Sequence, residues 1–131
     1  MNEEFVKPVH PEVQCTIWVK DKNDRFTGIM SNDGGFNEAG MMLINHWNSS
    51  EKAHDLMQLG ALRCLGKSIQ TSEQLPRIEN GPMFKDYGEG MALTVSKAYT
   101  NGAYCYVYDE SCNEWKIGIN CKISLKKILQ K

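Results

Sequence analysis

No two cysteines of this chain form a CxxC pair, and the five present, Cys15, Cys64, Cys105, Cys112 and Cys121, are odd in number and scattered. Such spacing supplies neither a redox pair nor the closely spaced ligands of a zinc site, so the cysteines read as reduced structural thiols and no metal is expected. His46 and His54 are not set at i and i+4 and have no HExxH context, which gives metalloprotease chemistry no support. Long apolar runs are also missing, and nothing approaches the roughly 20 residues needed to span a bilayer. Charge of one sign is lacking too. Lys+Arg 15 against Asp+Glu 16 gives a net charge of −1, which removes the bulk electrostatic argument for nucleic-acid binding and equally for an acidic nucleic-acid mimic. The amino terminus, MNEEFVKPVHPE, is acidic and carries two prolines where a signal peptide needs a basic and then an apolar stretch, so a cytoplasmic setting is expected. No paired carboxylates and no Ser/His/Asp arrangement stand out by spacing. The sequence therefore leans towards a non-catalytic protein without a cofactor.

What is present suits one core. At 131 residues, with 41% apolar and 9% aromatic side chains, the chain matches a single domain over residues 1–131 rather than two. Residues 1–14 form a polar leader. CTIWV, from Cys15 to Val19, is rich in β-formers and reads as a strand, KDKNDR as its turn, and RFTGIM as a returning strand. From Glu38 the period changes: Gly40, Leu43, Ile44 and Trp47 fall on one helical face, and the missing side chain of Gly40 is read as allowing close approach to another element. Asn48 to Glu51 (NSSE) carries a capping signature for a second helix with Ala53, Leu56 and Met57 on its stripe and Gly60 at its end. Gln70 to Gly90 has no sustained period and reads as a long irregular loop, a candidate binding edge. MALTVSKAY, AYCYVY and EWKIGI alternate, with Asn101-Gly102 as a hairpin signal, and predict a three-stranded antiparallel meander. Ser124 caps a last short helix, LKKILQK. The fold class expected is α+β: an antiparallel sheet, built from an amino-terminal hairpin and a carboxy-terminal meander, with two short helices packed on one face.

The stretch NDGGFNEAGMMLINHWNSSEKAHDLMQLGALRCLG resembles a family of small uncharacterised proteins from phages, prophages and other mobile elements. That family carries a Trp-Asp-Gly-Tyr-Pro loop, a Gly-x-x-Leu-Leu-x-His-Tyr helix, a Lys-Val-x-x-Leu-x-x-Leu-Gly helix and a Ser-x-Leu-Gly turn. The matching residues are Asp33 and Gly34, then Gly40, Leu43 and His46, then Lys52, Leu56, Leu59 and Gly60, and finally Leu65 and Gly66. The likeness extends outward to cover roughly Cys15 to Ile117. It departs at Asn32, Gly35 and Phe36, which replace the Trp and Tyr-Pro of the loop, and at SKAYTNG, which replaces a charged Tyr-x-Arg-Asp-Arg-Gly-Glu element. The resemblance implies a mobile-element origin and the cytoplasm of a bacterial host cell, and it brings no established activity with it.

Two candidate sites follow. Asn32, Asp33, Gly34 and Gly35 lie between a strand and a helix start, where exposed amides can bind an anion, with His46 nearby as a general base or base contact. The bland alternative is turn chemistry for the glycines and a dipole contact for the helix-end histidine. Tyr99, Tyr104, Tyr106 and Tyr108 lie on adjacent expected strands, and the last three share one face by the two-residue period, as a partner-binding surface or as cross-strand packing. The terminal lysines, Lys116, Lys122, Lys126, Lys127 and Lys131, have no acidic residue among them after Glu114, which makes this end locally basic: a solvated face, or a contact for an acidic partner. The leading functional expectation is an accessory protein that binds a host protein in defence or regulation. The alternative is a protein that sequesters or hydrolyses a nucleotide-like small molecule, and a ligand-free homodimer is a third reading.

Overall fold

In the computed structural model the chain is described over residues 14–32, 34–74, 81–100 and 104–129. Strand β1 (Gln14–Lys20) is central, and Cys15 to Val19 are buried without a break. The absence of polar alternation in CTIWV is thereby explained, because a strand covered on both faces reads as a continuous apolar run. Asp21 builds the turn that follows, its carboxylate accepting from the amides of Asn23 at 2.8 Å and Arg25 at 3.0 Å. The chain then returns as β2 (Phe26–Asn32), antiparallel to β1 in a register that sets Ile17 opposite Ile29 and Trp18 opposite Gly28. A side chain on Gly28 would begin 2.5 Å from the Trp18 ring, so this glycine marks a close approach within a strand.

After β2 comes a single π-turn, Phe36–Gly40, closed by the Gly40 amide on the Gly35 carbonyl at 3.2 Å, and it leads directly into α1 (Met41–His46). Helix α2 (Ser50–Met57) is capped by Ser49, whose hydroxyl accepts from the Lys52 amide at 3.2 Å, one residue later than the capping signature placed it. Ala53, Leu56 and Met57 are its buried stripe, and Gly60 follows with φ 75°. The chain re-enters the sheet as β3 (Leu62–Cys64), parallel to β2, and adds β4 (Glu73–Gln74) and β5 (Phe84–Tyr87). Two strands therefore lie inside what the sequence presented as an irregular loop over 70–90, and β5 pairs with β2.

MALTVSKAY is not a strand. It forms most of α3 (Glu89–Thr100), whose buried Ala92 and Ser96 stand one helical turn apart. The exposed apolar residues Met91 and Leu93 mask that period in the sequence and produce an alternation that belongs to no sheet. The Ser96 hydroxyl meets that of Thr16 at 2.9 Å, so the one polar pair under this helix is satisfied. Asn101-Gly102 lies outside the described residues. The antiparallel set at this end is β6 (Cys105–Asp109), β7 (Glu114–Ile117) and β8 (Ile123–Ser124), followed by α4 (Leu125–Leu129), whose Lys127 amide donates to Ser124 Oγ at 3.4 Å.

The class is α+β, and the eight strands form one mixed sheet in the order β4-β3-β2-β1-β6-β7-β8, with β5 beside β2. It is mostly antiparallel, but β1 and β6 run parallel, as do β2 and β3. Parallel neighbours require crossovers, and here each crossover carries helices. Helices α1, α2 and α4 cover one face, where Leu43, Trp47, Leu56 and Leu125 pack on Ile17, Tyr106, Tyr108 and Trp115. Helix α3 covers the other, with Ala92 against Trp18, Phe84 and Val107. Coverage of both faces is a departure from the expected one-sided arrangement.

Candidate functional site

The loop after β2 is built inward. The Asn32 side chain accepts from Gln14 Nε2 at 3.3 Å, and Asp33 lies outside the described residues. Gly34 is buried with its carbonyl taking the Tyr106 hydroxyl at 2.6 Å. The Gly35 carbonyl accepts from the amides of Glu38 and Gly40, and the Glu38 carboxylate lies against Gly35, its Oε1 2.6 Å from where a Cβ would stand. A carboxylate over the turn repels the anion that the exposed-amide reading required, and the π-turn is too short to offer a helical amide array. Gly34 and Gly35 thus serve turn chemistry and close packing.

The tyrosines are corrected in the same way. Tyr104, Tyr106 and Tyr108 share one face of β6, and that face is the one the helices cover: Tyr106 and Tyr108 are buried, and Tyr104 is half-buried with its ring 5.2 Å from Phe36 at 77°. Tyr108 meets Trp115 edge-on at 5.3 Å. Burial pushes the phenols of Tyr106 and Tyr108 above their ordinary range. Tyr99 is on α3, on the opposite side of the sheet, with its ring 5.6 Å from Phe84. These four residues form no common surface.

His46 remains at a surface. It stands in the last turn of α1 and in the wall of a cleft of about 530 Å³ between the π-turn, α1 and the segment from Cys64 to Lys67. Asn37, Glu38 and Asn45 supply polar groups there, and Met41, Met42 and Leu65 supply apolar ones. A smaller cleft of about 200 Å³ adjoins it, bounded by Lys52, Asp55, Ser68, Ile69 and Gln70. Both clefts include His46 and Lys67, so they are two lobes of one groove. The far wall is held by hydrogen bonds: Trp47 Nε1 donates to the Gly66 carbonyl at 2.9 Å, the Gly66 amide donates to Ser72 Oγ at 2.9 Å, and that hydroxyl donates to the Ser68 carbonyl at 2.9 Å. Neither Lys52 nor Lys67 is ion-paired among the described residues, and the groove's acidic groups are Asp55 in the smaller lobe and Glu38 in the larger.

The structure therefore brings His46 to Asn37, Glu38 and Lys67, and not to Gly34 and Gly35. Cys64, Leu65 and Lys67 are not site candidates in the sequence because ALRCLGKSI carries no chemical motif, and Lys52 enters there only as a matched residue of a helix. The signal available was Met41, an exposed apolar residue off the helix stripe of Leu43 and Trp47. Among the described residues no three His, Cys, Asp or Glu side chains converge as a metal set, and no helix is long and apolar enough to cross a membrane. Compared with family models, with curated proteins and with solved structures, the chain matches none.

Proposed function

We propose that this protein is a non-catalytic accessory protein of a phage or other mobile element that binds a host protein, and that the groove beside His46 is its contact surface. The observation that supports this is the groove's form: an open, two-lobed channel with Met41 and Met42 in the larger lobe, Lys52 in the smaller and Lys67 in both. Methionine side chains are adaptable and recur on binding surfaces, and a few fixed polar groups around them give orientation. The tyrosine face is withdrawn as the contact because it is core.

A second reading keeps the same groove for a nucleotide-like small molecule. In the smaller lobe Lys52 and Lys67 outnumber the one acidic lining residue, Asp55, which suits a phosphate, and the larger lobe has the size of a small-ligand site, roughly 300–1,000 Å³. One experiment separates the two. Tagged protein is purified from infected and uninfected bacterial lysate, and co-purifying proteins and heat-released small molecules are identified by mass spectrometry, alongside Met41→Asp and Lys67→Glu. Both substituted residues are exposed, so the fold is retained. A host protein recovered near stoichiometrically with the unsubstituted chain and lost with both variants is the expected result. A released nucleotide with no protein favours the second reading, and a partner retained by both variants overturns the groove as the surface.

A further inference from the structure

We propose that a second surface, the lysine-lined cleft at the β8 edge of the sheet, docks an acidic segment of a partner protein. β8 ends the strand order, and among the described strands only β7 pairs with it. Beside it lies a cleft of about 420 Å³ between β7, β8 and α4, with Lys116, Lys122 and Lys127 on its walls and Ile123 and Ile128 between them.

The charge in this cleft is not balanced from within. Glu114 is its single acidic lining residue, and it is already engaged: the Ser124 hydroxyl donates to it, and the Lys116 ammonium lies 3.8 Å away. Lys122 and Lys127 make no ion pair among the described residues. In the sequence five lysines follow Glu114 and no acidic residue stands among them. Ile123, which lines the same cleft, is 50% exposed. An exposed aliphatic side chain in a cleft with Lys122 and Lys127, neither of them ion-paired among the described residues, matches a ligand that carries acidic and apolar groups together.

An acidic peptide fits this description better than a nucleic acid. The cleft offers no aromatic ring for base stacking and no arginine for a forked phosphate contact, and the chain as a whole carries a net charge of −1. An extended peptide, in contrast, can add along β8, which among the described strands pairs only with β7. That strand is short, so the lysines and Ile123 carry the recognition. This surface is separate from the groove beside His46, and its test is independent of that reading.

The probe is a fluorescein-labelled peptide, Glu-Glu-Leu-Val-Glu-Glu, followed by anisotropy against its Gln-Gln-Leu-Val-Gln-Gln counterpart at low and high salt. The glutamate peptide is expected to bind at least about tenfold more tightly than the glutamine one, and to weaken as salt screens the cleft. Lys122→Glu combined with Lys127→Glu should abolish binding with an unchanged circular dichroism spectrum, since both side chains are exposed. Ile123→Asp, also on the surface, should do the same, while Met41→Asp, whose residue lines the other groove, leaves binding as it was. Equal affinity for the two peptides, no binding of either, or binding that survives the double charge reversal overturns the proposal. A labelled oligothymidylate that binds more tightly than the glutamate peptide overturns it in favour of nucleic acid.

Discussion

The phenol of Tyr106 donates to the main-chain carbonyl of Gly34 at 2.6 Å across 72 residues of sequence, inside the core. The bond ties the middle of β6 to the loop leaving β2. A buried carbonyl that loses its donor has no water to turn to, and the cost of an unsatisfied group is about 1–3 kcal/mol. Tyr106→Phe keeps the ring and its packing on Phe36, 6.3 Å between centroids, and removes only the donor. Urea unfolding is expected to show a loss in that range at an unchanged denaturant slope. An unaltered midpoint would mean that the Gly34 carbonyl finds another partner.

Two glycines of the same region should respond to alanine with opposite signs. At Gly34 a Cβ would stand 2.5 Å from Cys15 Cβ and 2.8 Å from the Cys15 amide nitrogen. Backbone must shift to admit it, so Gly34→Ala should destabilise by about 1–3 kcal/mol. Gly40 has ordinary right-handed helical angles, φ −57° and ψ −49°, and its added Cβ would meet Tyr106 Oη at 3.5 Å and Leu125 Cδ1 at 3.6 Å, which is normal contact. The close approach that the sequence attached to Gly40 is thus absent, and Gly40→Ala should stabilise by about 0.5–1 kcal/mol through helix propensity. Thermal unfolding of the two variants beside the parent chain measures both signs at once.

The sequence was legible where a single period ruled. Leu43 and Trp47 on one helix, and Ala53, Leu56 and Met57 on the next, are buried where their spacing put them. β1 and β2 stand on the two β-former runs, Cys15 to Val19 and Arg25 to Met30. Legibility failed where two causes produce one pattern. In the alternation Met91, Leu93, Val95 the first two are exposed apolar residues of a helix and Val95 packs on the core, and short strands such as β4 at Glu73–Gln74 are specified by their neighbours rather than by their own residues. The tyrosines show a further limit: period two gave their common face correctly, but which face a helix would cover depends on crossovers that no local spacing encodes. His46 was found by type. Its companions Lys52 and Lys67 reach the same groove only through the turn held by Trp47 and Gly66.

Acid should loosen the contact between α2 and the β6–β7 turn. Glu110 Oε2 accepts from Ser50 Oγ at 2.5 Å and lies 2.7 Å from His54 Nε2, and the carboxylate is 16% exposed. Burial pushes its pKa up, but the hydrogen bonds from Ser50 and His54, with the charge of His54, together hold it below the ordinary glutamate value. A folded pKa depressed in this way contributes stability that is complete above the unfolded value and is lost as pH falls through the folded one. Asp109 adds to the same acid limb: burial raises its pKa, and the Ser111 hydrogen bonds and the Lys20 charge outweigh that rise. Ser50→Ala is therefore expected to lower stability by about 1–2 kcal/mol at neutral pH, with the deficit shrinking in acid as Glu110 becomes protonated in both chains. Glu110→Gln should flatten the acid limb without removing it, because Asp109 remains. Urea midpoints measured at intervals from neutral to acid pH test this, and a Ser50→Ala deficit that stays constant to the acid end would show that the hydroxyl acts on packing rather than on the charge of Glu110.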